Sequence, residues 1–220
     1  MKIAILGGTG KEGAGLGYRW AAAGRPIIIG SRLAEKAQET ATKLNELLPA
    51  GSPPITGANN LTASQQADLI VLAVPYNAQA ATLDTVAEAL AGKLLISVVV
   101  PIMPPKVSHV WRPPAGSAAQ EAQERLGPSV RVVAAFQNVS AEHLPDLNYE
   151  VACDVLICGD NKADKQLVQQ LCQEAGLRGI DAGPLQNASV VEGLTAVLIG
   201  INARYKIKHA GIRITGLPEV

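Results

Sequence analysis

A glycine cluster near the start of the chain has the spacing needed to hold a dinucleotide's phosphates. Gly8, Gly10 and Gly13 form Gly-x-Gly-x-x-Gly, with Thr9, Lys11 and Glu12 between them. The apolar run 2–6 leads in as a strand, and residues 14–23 lead out as a helix. In that setting Gly8 permits a tight turn, Gly10 lets backbone approach a pyrophosphate, and Gly13 lets helix pack on strand. The helix then directs unpaired N–H groups and the positive end of its dipole at the phosphates. The bare hexamer also occurs in plain connecting turns. Its place between a first strand and a first helix, with a second strand over 26–30, selects dinucleotide binding.

The tip of that second strand chooses the dinucleotide. A reader of a free ribose 2′-hydroxyl places Asp or Glu there, about 20 residues beyond the glycines. This chain has Gly30, Ser31 and Arg32, with Lys36 one helical turn later. Ser31 supplies a hydroxyl, Arg32 a planar fork and Lys36 a point charge, a set suited to a 2′-phosphate. The residues therefore predict NADP(H). Two cations at a helix N-terminus oppose its dipole, so an anion is expected to join them.

The second reactant is expected beyond the carboxyl ends of the strands, where an open α/β sheet binds its ligands. Val74, Pro75, Val98 and Val100 offer apolar surface and backbone there, and Gln137 and Asn138 offer orienting hydrogen bonds. Proton-transfer machinery is missing from these segments. Tyr205 and Lys206 come too late and at the wrong spacing for a Tyr-x-x-x-Lys pair, and His109, His143 and His209 fall in a loop, a linker and the tail. No side chain is assigned a catalytic role. Hydride passed directly between two redox cofactors needs orientation and exclusion of water more than an acid or base.

The elements that must position these residues alternate. Helix 34–47 is followed by a short edge strand over 55–57 and a brief helix over 61–67 capped by Thr62. Strand 68–74, helix 77–90 and strand 93–100 come next, and the unbroken apolar run in 68–74 suits a parallel strand buried on both faces. A proline-rich loop over 101–116 interrupts the rhythm. Helix 117–126, strand 130–135 and an irregular link over 136–149 follow. Strand 155–158, helix 162–175, strand 178–181 and a long helix over 189–206 complete the series. This predicts an α/β fold: a Rossmann-type doubly wound parallel sheet with a small C-terminal α/β extension ending in a long helix. A division into an NADP-binding domain over 1–140 and a smaller substrate or oligomerisation region over 141–220 is expected.

Bulk properties narrow the partners. The 220 residues are 48% hydrophobic, enough for a substantial core, and 19 basic residues balance 19 acidic ones. Such a balance gives no field to recruit nucleic acid or an anionic membrane, and 3% aromatics leave few platforms for stacking bases. Cys153, Cys158 and Cys172 are odd in number and lack Cys-x-x-Cys spacing, so reduced, buried thiols in a cytoplasmic protein are expected, without zinc. No signal-peptide pattern is visible, and the uncharged run 193–203 is too short to span a bilayer. It is expected to be a buried helix, opened by Glu192 in a first turn that suits a carboxylate.

Gly7-Gly-Thr-Gly10, Gly30-Ser-Arg32, Val74-Pro75, Cys158-Gly-Asp160 and Asp181-Ala-Gly-Pro-Leu185 occur in that order. In order and spacing the chain resembles the NADPH-dependent reductases of the deazaflavin coenzyme F-420, over nearly its whole length. The resemblance implies reversible hydride transfer between the deazaflavin C5 and the nicotinamide C4. By matching position it implies Thr9, Gly10, Lys11 and Glu12 around the pyrophosphate, and Ser31, Arg32 and Lys36 on the 2′-phosphate. Val74, Val98 and Val100 would flank the nicotinamide, with the deazaflavin over 98–100 and 136–139. A homodimer or higher homo-oligomer is implied as well. One stretch departs from the pattern: the family's Leu-His-Thr-Ile-Pro is Phe-Gln-Asn-Val-Ser over 136–140, so its histidine is Gln137. That leaves NADPH-dependent flavin reduction, and a non-catalytic NADP-binding redox sensor, as alternatives. Imine or keto reduction would need a proton donor that the residues do not provide.

Overall fold

A computed structural model describes residues 1–217; the last three residues of the expected C-terminal region lie outside them. The short apolar runs β1 (Ile3–Leu6), β4 (Leu69–Leu72) and β5 (Leu94–Ser97) are buried along their whole length. They pair in parallel with one another and with β2 (Ile27–Ser31), β3 (Thr56–Asn59) and β6 (Arg131–Ala134). With β7 (Asp154–Gly159) and β8 (Arg178–Asp181) the spatial order is β3-β2-β1-β4-β5-β6-β7-β8. The chain therefore runs outward from β1 on one side and restarts beside β1 with β4. That reversal between β1 and β4 is the switch point, where a crevice forms beyond the strand ends.

Period-two alternation sends successive side chains into two cores. Ile3, Ile5, Ile27, Ile29, Leu69 and Val71 meet Leu16 and Trp20 of helix α1 (Lys11–Ala22) on one face. Ala4, Leu6, Ile28, Ile70 and Leu72 face the opposite way, toward Ala63 of α3 (Asn60–Gln66), Leu83 of α4 (Tyr76–Val86) and Ala119 of α5 (Ala118–Leu126). Helix α2 (Ala34–Asn45) and helix α6 (Lys162–Glu174) cover the first face; helix α7 (Ala188–Tyr205) joins the second. The doubly wound arrangement anticipated from alternation is the one observed.

Several boundaries differ, each for a local reason. The helix expected over 61–67 starts one residue earlier, because Asn59 rather than Thr62 is its cap and accepts from Thr62 N. Strands β4 and β5 end at Leu72 and Ser97, opposite one another, so Val74, Val98 and Val100 stand beyond the sheet in the crevice walls. The helix of 77–90 is α-helical only to Val86 and finishes as a 3₁₀ turn over Ala87–Leu90.

The larger departure follows β6. Phe136 takes a left-handed φ of 74° and sits edge-on to Trp20, ring centroids 5.6 Å apart. The chain then crosses beside α1 without a helix, and β7 lies antiparallel to β6, paired only through Val133–Gly159 and Ala134–Cys158. A parallel neighbour needs a long crossover back to the far end of the sheet, which this link does not make. Arg19, buried on α1, ties the link down. Its guanidinium donates to the carbonyls of His143, Leu144, Asp146 and Tyr149, and to Ala175 at the end of α6. A buried cation saturated by five carbonyls replaces the packing a regular element would provide.

Helix α7 is not the buried helix expected. One side carries Ala188, Val191, Ala196 and Leu198 inward, while Val190 and Val197 on the other side are 56% and 43% exposed. The proline-rich loop packs along its flank: a Cβ on Gly193 would come within 3.2 Å of Val110 Cγ1. Trp111 of the same loop lies on Tyr76, centroids 5.6 Å apart. Glu192 also differs from expectation. It lies beyond the first turn of its own helix and is almost fully buried, and its two oxygens accept from Ala118 N and Ala119 N at the head of α5. It thus supplies charge to the dipole of a neighbouring helix. Burial pushes its carboxyl up to about 7, against the pull of those two N–H groups. The folded state then binds the proton more tightly than the unfolded chain, so this contribution to stability falls as pH rises from the ordinary carboxylate range toward 7.

All three cysteines are free and buried, and burial raises each thiol. Among the described residues no helix is long and apolar enough to cross a membrane.

Candidate active site

The carboxyl ends of β1, β2, β4 and β5 open into a cleft of about 1300 Å³. A single small-ligand pocket holds roughly 300–1000 Å³, so this one suits two large reactants side by side. Its floor at the switch point is the turn from β1 into α1. The positive φ of that turn, 79°, falls on Gly7 rather than on Gly8. Gly8 is needed for closeness instead: a Cβ there would stand 2.8 Å from Ile5 O. Gly13 has the packing role expected of it, since its Cβ would meet Gly8 Cα at 2.9 Å and Ile5 Cγ2 at 3.2 Å.

Gly10 is different. A Cβ there would meet only Gly7 O, at 3.5 Å, so none of the described residues requires a bare backbone at this point. The space opens into the cleft at the N-terminus of α1, which no side chain caps. A bare backbone and an uncapped helix start, whose first-turn N–H groups have no intrahelical acceptor, fit a pyrophosphate. At the far end Ser31, Arg32 and Lys36 line the rim together, the serine buried and the two cations exposed. Ser31 Oγ also accepts from Leu33 N at 3.3 Å, which holds the strand tip in place.

On the other side Val74, Pro75, Val98 and Val100 form an apolar wall, and Gln137 closes the end. Gln137 Nε2 donates to Ser97 O at 2.8 Å, leaving its buried Oε1 with no partner among the described residues. Thr195 of α7 reaches over to donate to Gln137 O at 2.8 Å, fixing the backbone just after the left-handed Phe136. Asn138 turns away from the cleft; its Nδ2 donates to Val191 O at 3.1 Å. Thr9, Lys11 and Glu12 line the cleft beside Gly10, whereas Gly8 lies beneath the turn.

Sequence reasoning missed Gly7, Asn60 and Thr195, which line the same space together with Tyr76, the residue that follows Pro75. The left-handed turn at Gly7 was hidden by two adjacent glycines. Asn60 and Tyr76 sit at the first residues of α3 and α4, a position signalled only by the strand ends before them. Tyr76 OH donates to Glu121 at 2.8 Å; burial and that carboxylate both raise its pKa, so it is a poor proton donor to a substrate. Thr195 comes from a helix more than fifty residues downstream and had no local signal.

The strand order, the glycine turn at the switch point and the cationic rim where a 2′-hydroxyl reader would carry an acid define an NADP-linked oxidoreductase of the Rossmann class. Residues 2–101 match the family described as "NADP oxidoreductase coenzyme F420-dependent". The chain is 44% identical to an F420-dependent NADP reductase of Methanothermobacter marburgensis, across the full length of both. It is 42% identical to that of Methanocaldococcus jannaschii over 99% of each. A crystal structure described as a putative F420-dependent NADP reductase from Arthrobacter sp. FB24 superposes with a TM-score of 0.78 at 27% identity, covering 98% of this chain and 99% of that one. The chain belongs to the family of F420-dependent NADP oxidoreductases.

Proposed function

We propose that this protein transfers a hydride directly and reversibly between NADP(H) and the deazaflavin coenzyme F-420. The observation that carries the reading is the cleft: an anion cradle and 2′-phosphate rim at one end, an apolar wall without proton-transfer groups at the other. The bound dinucleotide supplies the hydride or accepts it at the nicotinamide. The chain's own residues do the rest. The first turn of α1 holds the pyrophosphate, and Ser31, Arg32 and Lys36 hold the 2′-phosphate. Val74, Val98 and Val100 exclude water from the reacting faces and present them in contact. Gln137 Oε1 offers an acceptor to a ring N–H, held in place by Ser97 O and, through the backbone, by Thr195. On this reading residues 1–140 carry the NADP site, and the region from 141 onward completes the cleft through α7.

Stopped-flow absorbance tests the reading. With equal F-420 and FMN offered separately, NADPH oxidation proceeds with F-420 alone. Turnover only with FMN would move the protein to flavin reduction, and tight NADPH binding with neither acceptor reduced would make it a sensor.

A homodimer through α7 is part of the same proposal. Val190, Leu194, Val197 and Ile201 recur at four- and three-residue spacing on its outer side, opposite the buried face. A helix apolar all round is ordinarily covered, and a second copy of α7 would cover this one. In analytical ultracentrifugation the protein is expected to sediment as a dimer and Val197→Glu as a monomer. A monomeric parent protein at micromolar concentration would refute the assignment.

A further inference from the structure

Glu12 lines the cleft at the turn proposed to hold the pyrophosphate. Glu12 is the second residue of α1 and lines the cleft between Lys11 and Gly13. Its side chain is half-buried, but Oε1 is shielded from solvent and has no hydrogen-bond partner among the described residues. A carboxyl in the first helical turn is ordinarily satisfied by the N–H groups there or by a nearby cation. Neither is found for Oε1.

The charged groups around it explain why. Lys11 on the same turn is exposed to solvent. Gly15 and Arg19 follow three and seven residues on, along the same side of the helix, under the 136–149 link. Gly15 faces Leu144, and the Arg19 guanidinium is spent on five carbonyls. Arg32, just beyond the end of β2, and Lys36 of α2 line the cleft with Ser31. The Tyr76 phenol at the head of α4 is bonded to Glu121. Among the described residues none forms an ion pair with Glu12.

We infer that the Glu12 carboxylate, when ionised, repels the cofactor pyrophosphate at the head of α1, so that the dinucleotide binds with uptake of a proton by Glu12. The ionised side chain places a charge against the phosphates at short range in a shielded site. The neutral acid does not, and its O–H becomes a donor toward them. Burial pushes the Glu12 carboxyl up to about 8, so the exchange falls within an accessible pH range. Glu12 is thus a positioning residue that makes cofactor grip pH-dependent. The inference rests on the placement of the pyrophosphate at α1 and is independent of which hydride acceptor is used.

The test is a titration of NADPH into the protein and into Glu12→Gln, followed by nucleotide fluorescence from pH 6.5 to 9.5 at constant ionic strength. Affinity of the parent protein is expected to fall about tenfold between pH 7 and pH 9, as linkage to one proton requires. Glu12→Gln, which keeps Lys11, Tyr76, Arg32 and Lys36, is expected to bind with little dependence on pH. Calorimetry at pH 8.5 in two buffers of different ionisation enthalpy is expected to show uptake of up to about three-quarters of a proton by the parent protein and none by the variant. Parallel pH profiles for the two proteins, or no proton uptake by the parent, would overturn the inference. Circular dichroism checks that the variant is folded. No hydride acceptor is present, so failure here is distinct from failure to reduce F-420.

Discussion

Gly10→Val abolishes NADPH binding and leaves the protein folded. The backbone at residue 10 has φ −77° and ψ 158°, an extended conformation open to a β-branched residue. The added Cβ finds only Gly7 O at 3.5 Å, an ordinary contact. The remaining methyl groups project into the cleft where phosphate must approach the backbone. Affinity is expected to drop at least 100-fold, about 2.7 kcal/mol or more, in a nucleotide-fluorescence titration. Thermal unfolding by circular dichroism is expected to stay within a few degrees of the parent protein. Gly13→Val gives the opposite result. Its Cβ strikes Gly8 Cα at 2.9 Å, so α1 must lift from β1 and the fold itself is destabilised by about 1–3 kcal/mol. Retention of NADPH binding by folded Gly10→Val would remove the pyrophosphate from this turn.

Arg32→Ala weakens NADPH and spares NADH. Arg32 stands on the rim with Lys36 and Ser31, and none of the ion pairs among the described residues involves Arg32 or Lys36. A hydrogen bond to a charged group contributes about 1.5–3 kcal/mol, so NADPH affinity is expected to fall roughly 10- to 150-fold. NADH has no 2′-phosphate and is expected to change less than twofold. Calorimetric titration of both nucleotides decides the point. An equal loss for the two would mean that the guanidinium holds a part they share.

The two predictions lie at the end of the site that local sequence describes well. Gly10 is recognisable because a dinucleotide turn is built by neighbours in the chain. Arg32 is recognisable because a strand tip and the next helix start are contiguous. The hydride-transfer end was less legible. Gln137 lines the cleft, whereas Asn138 beside it donates to Val191 O of α7. Adjacent residues in an irregular link point in unrelated directions, and only the left-handed turn at Phe136 and the bond from Thr195 set which one faces inward. The boundaries of β4 and β5 were overrun for a similar reason. Valine continues past Leu72 and Ser97 in the sequence, while the strands stop where their ladder partners do.

By itself the sequence determined the alternating strands and helices, the glycine turn after the first strand, NADP as the dinucleotide and the family. Each rests on periodicity or on residues a few positions apart, where covalent connection sets the geometry. Tertiary structure decided the rest. Arg19 on α1 binds a link more than a hundred residues away, and Glu192 on α7 serves the head of α5. The antiparallel return of β7 and the exposed apolar side of α7 are likewise products of packing. Burial of Glu12 belongs with them, because the desolvation that raises its pKa comes from neighbours brought close only by the completed fold.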